Sequence, residues 1–288
     1  MLMNRKIAYA AWPVGLVLVL AYTMGEVMPR PLFLLLDLAL AVGYALVLRR
    51  VARDPAATAL AVAGVGLFVM VGVVGPPTAR EPVFMLLNTV VLLAVAVTLL
   101  VAATTLGLRT RGGPAVLAVL ALAVGSVGYL LNLLARWAVV LSGAAPAQAA
   151  VEDRAWQASS YLRGLDGDPS FVTYLLVWFD LIQVAYLVLA YLTFAGLAVA
   201  LRRALALPPR LARGIAVAGW ALAALVCVGA VVAPLNGPLG TVGAWTAFVL
   251  TIPFMSTLLP HLLGVALLDR ASRVDPQPGR AAFALDIR

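Results

Sequence analysis

The stretch FVTYLLVWFDLIQVAYLVLAYLTFAGLAVAL, residues 171–201, decides the fold class of this chain. It contains one charged side chain, Asp180, and it is followed directly by Arg202 and Arg203. A helix needs about 20 predominantly apolar residues to cross the hydrocarbon core of a bilayer. The stretch therefore predicts a transmembrane helix that is longer than the minimum.

Seven other stretches have the same character, and each predicts a further membrane span. They are residues 7–25, 32–48, 56–75, 83–107, 114–142, 212–235 and 240–268. Of the 288 residues, 64% are hydrophobic and 11% are charged, whereas soluble domains have about 25% charged residues. The single cysteine, Cys227, excludes a disulfide scaffold and is predicted to be a core residue of its apolar run. We predict an all-α, polytopic helical bundle of about eight transmembrane helices.

The basic residues are distributed unevenly along the chain, whose net charge is +8. With a cytoplasmic N-terminus, fifteen of them fall in the segments inside the membrane and four in those outside. Because cytoplasmic segments carry the excess of Lys and Arg, both termini are predicted to lie in the cytoplasm, in a bacterial inner membrane. The arginines flank apolar runs and form no stripe with interleaved aromatic residues, which argues against nucleic acid as a partner.

The chain is predicted to form one transmembrane domain over residues 1–270. An extracytoplasmic loop over 143–170 joins the fifth and sixth spans, and residues 150–165 within it are predicted to cover the mouth of a polar site. Residues 271–288 are predicted to be a disordered cytoplasmic tail. The expected partners are the lipid bilayer and either another membrane protein or a second copy of the chain.

Six polar residues within the spans are predicted to converge in the outer half of the bundle. They are Asp37, Asn88, Asn132, Arg136, Asp180 and Gln183. An ionisable side chain in hydrocarbon costs about 2.5–3.5 kcal/mol on insertion scales, so each calls for a partner or a role. At 1.5 Å of rise per residue, Asp37, Asp180 and Arg136 lie about 8, 13 and 9 Å below the outer surface.

Two of these residues are predicted to pair directly. Asn132 and Arg136 share one side of the fifth span, and Asp180 and Gln183 share one side of the sixth. An Arg136–Asp180 ion pair follows, either as a purely structural contact or as part of a site for a ligand, an ion or a proton. If these two residues pair, Asp37 has no basic partner within the spans. An unpaired carboxylate of this kind could couple transport to a proton or a small cation.

The only histidine, His261, is predicted to be capped or interfacial beside Pro260. One histidine cannot provide bis-histidine haem ligation or a His-rich metal site, and no cofactor or metal is expected. A dyad of Ser126 and His261 is the remaining enzyme hypothesis, although the two residues differ in predicted depth by about 8 Å. Trp12 and the tryptophans near other span ends are interpreted as interfacial anchors.

One hairpin of the last third resembles a family of bacterial multi-span membrane proteins of unknown function. The resemblance is carried by Leu192-Thr193-Phe194-Ala195-Gly196-Leu197, by the basic turn Leu207-Pro208-Pro209-Arg210-Leu211 and by residues 214–220. It implies the multi-span topology, and it brings no catalytic residues.

Three function classes therefore remain open. The first is a small transporter or ligand-binding membrane protein with an outward-facing polar site. The second is a non-catalytic accessory or structural subunit of a membrane complex, in which the polar residues only dock helices. The third is an intramembrane enzyme, which would need Ser126 and His261 within hydrogen-bond reach.

Overall fold

The computed structural model describes residues 5–23, 28–49, 54–74, 82–110, 112–141, 171–204, 206–235, 237–251 and 253–274. Within these ranges there is no β-strand, and the regular elements are helices. They are α1 (Arg5–Thr23), α2 (Arg30–Arg49), α3 (Pro55–Val74), α4 (Pro82–Thr110), α5 (Gly113–Leu141), α6 (Phe171–Arg203), α7 (Pro209–Val232), α8 (Pro238–Thr251), a 3₁₀ turn (Pro253–Thr257) and α9 (Leu258–Val274).

The first seven predicted spans coincide with α1 to α7. Among the described residues, five helices are long and apolar enough to cross a membrane, over Pro31–Arg49, Leu86–Thr110, Gly113–Ala135, Leu181–Arg203 and Pro209–Val232. The apolar parts of α1 and α3 that the structure describes are shorter. These helices are compatible with an integral membrane protein. The predicted loop over 143–170 lies outside the described residues, as does the predicted tail beyond Val274, to which α9 extends.

The eighth predicted span, residues 240–268, is not one continuous helix. It is divided into α8, the 3₁₀ turn and α9. Pro253 has no backbone N–H to donate to the preceding turn, and its ring clashes with a helix that continues through it. The hydroxyl of Tyr191 on α6 donates to the carbonyl oxygen of Leu250 at 2.8 Å. A side chain from another helix therefore binds a carbonyl at the end of α8.

Helix α6 forms the interior of the bundle. It packs against α5 and α7 along most of its length and also contacts α4, α8 and α9. Its apolar stretch is 61% buried, whereas those of α2 and α4 are each 22% buried. The apolar stretch over residues 171–201 thus forms the helix around which much of the bundle is arranged.

The α7 helix buries mainly small side chains, together with Ile215 and Val226, and it exposes several large ones. Its buried face is formed mostly by alanine and glycine, at Ala212, Ala216, Gly219, Ala223 and Gly229 among others. Val217, Trp220, Leu225, Val228 and Val231 face outward. This pattern is typical of membrane helices, where small residues allow close packing and lipid accepts the large apolar ones.

Cys227 is exposed on this helix, so its predicted place in the core is wrong. A run that is apolar on all sides does not reveal which face is buried.

The α3 helix is fixed at its N-terminus by Asp54. One carboxylate oxygen, Oδ1, accepts the backbone N–H groups of Ala56 and Ala57 at 3.0 and 3.3 Å. The other, Oδ2, pairs with the guanidinium of Arg109 at 2.7 Å, near the end of α4. A capping carboxylate satisfies N–H groups that the first helical turn leaves free, and here it also joins α3 to α4.

Candidate functional site

Asn132, one of the predicted polar residues, lies at the close interface between α5 and α6. Asn132 is fully buried, and its Nδ2 donates to the backbone carbonyl of Phe179 at 3.2 Å. Gln183 on α6 is half-buried and also takes part in an interaction. The rings of Tyr129 and Tyr186 stack in parallel between the two helices, with centroids 4.4 Å apart. This interface brings the helices of four predicted site residues together.

The side chains of Arg136 and Asp180, which are predicted to form an ion pair, are not among those that the structure describes. Arg136 belongs to α5 and Asp180 to α6, and these two helices pack against each other. The pairing of their side chains stays a prediction.

The remaining two predicted residues lie on other helices. Asn88 is half-buried on α4, which packs against both α3 and α5. Asp37 lies on α2, whose extensive contacts among the described residues are with α1 and α3. The described packing therefore does not bring Asp37 against α5 or α6, and the convergence of all six residues on one site stays a prediction.

Asp37 is nevertheless buried within the bundle, at 1% exposure. It shares the inward face of α2 with Phe33, Tyr44 and Leu48, which are spaced so that they fall on one side of a helix. Neither carboxylate oxygen has a hydrogen-bond partner among the described residues. A buried carboxylate without a partner carries a large desolvation cost in its charged form. The group is therefore neutral, or it binds something that brings a positive charge or a donor.

A second polar cluster, which the sequence analysis did not assemble, surrounds His261. The residue is fully buried rather than interfacial, so the interfacial alternative is wrong. Its Nδ1 lies 3.0 Å from the carbonyl oxygen of Ala61 on α3, and its Nε2 lies 3.1 Å from that of Ala8 on α1. The hydroxyl of Tyr44 on α2 lies 3.4 Å from Nδ1 and donates to the same Ala61 oxygen at 2.9 Å. Four helices meet at this imidazole, and we call it with Tyr44 and the two carbonyls the histidine node.

The neighbouring contact, one turn away, is made by Trp12. Its indole N–H donates to the hydroxyl of Thr257 at 2.9 Å, and the residue is 4% exposed. The interpretation of Trp12 as an interfacial anchor is therefore wrong. A Cβ added at Gly64 would lie 2.7 Å from the indole and 2.8 Å from the Thr257 hydroxyl. The absent side chain of Gly64 on α3 is what leaves room for this hydrogen bond.

The histidine node depends on an unusually close approach of α3 and α9. A Cβ added at Gly264 would lie 2.5 Å from the Ala61 nitrogen and 2.6 Å from the Ala57 carbonyl oxygen. Those are backbone atoms, which cannot turn aside as a flexible side chain can. Gly264 lies one turn after His261, so the contact that it permits holds the imidazole against α3.

These contacts also bear on the enzyme hypothesis. Both ring nitrogens of His261 face groups of α1, α2 and α3, whereas Ser126 is on α5. The described contacts of His261 do not include Ser126. Within the described ranges no group of three or more His, Cys, Asp or Glu side chains is placed to hold a metal ion.

Comparison of the chain with protein-family models, curated proteins and solved structures found no match. The resemblance of the hairpin over residues 192–220 to bacterial multi-span membrane proteins thus stays a prediction.

Proposed function

We propose that this chain is a small ion-coupled transporter of a bacterial inner membrane. In this proposal it crosses the membrane eight times, with both termini in the cytoplasm, and carries a polar site that opens outward. Asp37 is the group that binds the coupling proton or cation. Asn88, Asn132, Arg136, Asp180 and Gln183 supply the polar lining on α4, α5 and α6.

The observation that carries the proposal is the burial of Asp37 without a hydrogen-bond partner among the described residues. A carboxyl group that only held helices together would be expected to accept hydrogen bonds from a neighbouring helix. Asp37 instead lies on the apolar face of α2 between Phe33 and Tyr44. Ionisable residues inside membrane helices characteristically mark ion pathways and proton relays, and an unpaired acid is available for that role.

The alternative, a non-catalytic accessory subunit, is favoured by a different observation. The buried amide of Asn132 is used to bind the Phe179 carbonyl across the α5–α6 interface. Interhelical hydrogen bonds of this kind fasten membrane helices to each other. If Asp37 proved to be inert as well, all the described polar residues would serve to dock helices.

The first test is chemical modification of Asp37 by a membrane-permeant carbodiimide. The whole chain in lipid nanodiscs is treated with dicyclohexylcarbodiimide at graded pH, with and without Na⁺, and the adduct is located by mass spectrometry. This reagent attacks protonated carboxyl groups, so we expect an adduct at Asp37 that diminishes as the pH is raised or as Na⁺ is added. Asp54, which is partly exposed at the start of α3, serves as the internal control and should react with a water-soluble carbodiimide.

The second test measures charge movement. Proteoliposomes on a solid support are exposed to rapid jumps of pH and of Na⁺ concentration. We expect transient currents that are lost in Asp37→Asn and retained in Asp54→Asn, since asparagine also caps a helix well. An unreactive Asp37 together with a wild-type protein that moves no charge would overturn the transporter proposal, and the accessory subunit would replace it.

A further inference from the structure

The two ring nitrogens of His261 both face backbone carbonyl oxygens. Nδ1 lies 3.0 Å from the oxygen of Ala61, and Nε2 lies 3.1 Å from the oxygen of Ala8. A carbonyl oxygen only accepts hydrogen bonds. Each of these contacts is therefore a hydrogen bond only if the facing ring nitrogen carries a proton.

A neutral imidazole cannot satisfy this arrangement. It has one N–H donor and one bare nitrogen that accepts. If Nε2 bears the proton, the lone pair of Nδ1 faces the lone pairs of the Ala61 oxygen. If Nδ1 bears it, the same conflict occurs at Ala8. Only the imidazolium form donates at both positions.

The Tyr44 hydroxyl does not remove this conflict in the geometry observed. It has a single proton, and it lies 2.9 Å from the Ala61 oxygen but 3.4 Å from Nδ1 of His261. The shorter contact is the better hydrogen bond, so the proton of Tyr44 points to the carbonyl and not to the imidazole. The same hydroxyl could reach Nδ1 by a small rotation if that nitrogen lost its proton.

The geometry points to His261 as a proton-binding site inside the helical bundle. In the protonated form, Nδ1–H donates to the Ala61 oxygen and so joins α9 to α3, and Nε2–H donates to the Ala8 oxygen and so joins α9 to α1. When the proton on Nδ1 leaves, the Tyr44 hydroxyl turns from the Ala61 oxygen to the bare nitrogen, and α9 loses its side-chain hydrogen bond to α3. The ligand is a single proton, and no other species is consumed or formed. This inference does not depend on the transporter proposal.

Two buried acids lie on the helices that carry the side chains of the node. Asp37 lies seven residues before Tyr44 on the same face of α2, a rise of about 10 Å, and Asp269 lies eight residues after His261 on α9, a rise of about 12 Å. Both are buried. The imidazole therefore lies between these two acids along the bundle.

The other elements packed around α9 place no described titratable group besides Tyr44 in contact with the ring. The more distant titratable and charged side chains among the described residues of these elements are Lys6, Tyr9 and Tyr22 on α1, Asp37 and Arg49 on α2, Asp54 before α3, Tyr186, Tyr191, Arg202 and Arg203 on α6, Arg210, Arg213 and Cys227 on α7, and Asp269 and Arg270 on α9. Tyr191 is bonded to Leu250 and Asp54 is paired with Arg109.

The chain offers a direct measurement, because His261 is its only histidine. The whole chain, purified through a tag that lacks histidine, is labelled with nitrogen-15 in the histidine ring and reconstituted in lipid nanodiscs. Its nitrogen spectrum then contains the two ring nitrogens of His261 alone. We expect two protonated nitrogens at the acidic end of a titration from about pH 5 to about pH 9, and the loss of one proton, from Nδ1, within that range.

Two variants distinguish the node from a histidine that merely titrates. In Tyr44→Phe the bare Nδ1 should appear at the position of a nitrogen that accepts no hydrogen bond, whereas in the wild type it should appear hydrogen-bonded. Trp12→Phe removes the adjacent α1 contact with Thr257 without touching the ring, and it should leave both signals unchanged. A ring that stays neutral, or stays cationic, over the whole range overturns the proposal, and so does loss of the proton from Nε2. Because no transport is measured, an inert Asp37 would not affect this result.

Discussion

Two interfaces of this bundle are fastened in different ways. Between α5 and α6, neutral side chains face backbone carbonyls. Asn132 binds Phe179, and the hydroxyl of Thr193 lies 2.8 Å from the Ala118 oxygen on α5 and 2.7 Å from the Leu189 oxygen of its own helix. Where α9 meets α1, α2 and α3, the central group is the imidazole of His261, whose hydrogen bonds depend on its protonation. The first interface has a fixed set of donors, and the second has one donor that can be lost.

The two interfaces also differ in how far apart their partners lie in the chain. Asn132 and Phe179 are 47 residues apart and belong to helices that are consecutive among those described, whereas Ala8 and His261 are 253 residues apart. The α9 interface therefore brings together residues that are far apart in the described part of the chain. The amide of Asn132 binds two helices that follow one another among those described, and the imidazole of His261 joins α9 to α1.

The largest expected loss of stability tests whether the α5–α6 interface is held by neutral side chains alone. If Arg136 and Asp180 are buried partners, the α5–α6 interface also contains charge. Removing either partner leaves the other uncompensated, so Arg136→Leu or Asp180→Leu should lower the free energy of unfolding by about 3–5 kcal/mol. The double variant should recover much of that loss. Unfolding in detergent measures it, and losses that simply add would show that the two side chains do not touch and that the contrast stands.

A somewhat smaller effect tests the closeness of α3 and α9. In Gly264→Ala the new methyl group would meet the backbone of Ala57 and Ala61, so we expect overpacking to cost about 3 kcal/mol. The matched control is Gly214→Ala on α7, where an added Cβ has nothing within 4 Å. That change should stabilise the protein by about 0.5–1 kcal/mol, because alanine is the better helix former. Thermal unfolding of the two variants should show shifts of opposite sign, and equal shifts would contradict the close approach.

The smallest effects compare single hydrogen bonds from each interface. Trp12→Phe leaves the Thr257 hydroxyl without its indole donor and also leaves a void, so we expect a loss of about 1–2 kcal/mol. Thr193→Val keeps the shape of the side chain and removes its hydroxyl, which reaches the Ala118 oxygen on α5 at 2.8 Å and the Leu189 oxygen of its own helix at 2.7 Å. For an interhelical hydrogen bond, a loss of about 0.6 kcal/mol is typical in a membrane protein.

The control for the threonine is Thr105→Val. Thr105 bonds only to the Val101 carbonyl of its own helix among the described contacts, so its replacement should leave stability nearly unchanged. Chemical unfolding in mixed detergent–lipid micelles would rank the three variants. A Thr193 effect no larger than that of Thr105 would show that its bond to Ala118 does not stabilise the interface.

Much of the helical layout could be predicted because long apolar runs have few alternatives. The run over 171–201 holds one charge and ends at two arginines, and its helix extends from Phe171 to Arg203. The break within 240–268 was missed, although Pro253 was visible in the sequence, because a count of apolar residues does not register a missing N–H group. The prediction that Cys227 lies in the core was wrong for a related reason. When a helix is apolar on every side, its sequence does not show which face is buried.

The candidate site was only partly predictable. Asp37 could be singled out because a charge in an apolar run is conspicuous, but its lack of a partner depends on packing. The histidine node was missed because its donors and acceptors are backbone carbonyls, which every residue has. Tyr44 did offer a signal, since it lies seven residues after Asp37 on the same face of α2. Trp12 offered none, because its hydrogen-bond partner is 245 residues away.

The hydrogen bond from Tyr191 to Leu250 has a consequence for biogenesis. A helix that is interrupted within hydrocarbon exposes carbonyl groups that lipid cannot satisfy. The group that binds this carbonyl belongs to α6, which leaves the ribosome before α8 does. The interrupted segment can therefore be released from the insertion machinery onto a partner that is already in place. The order of the chain makes α8 and α9 settle after α6, against a scaffold formed earlier in synthesis.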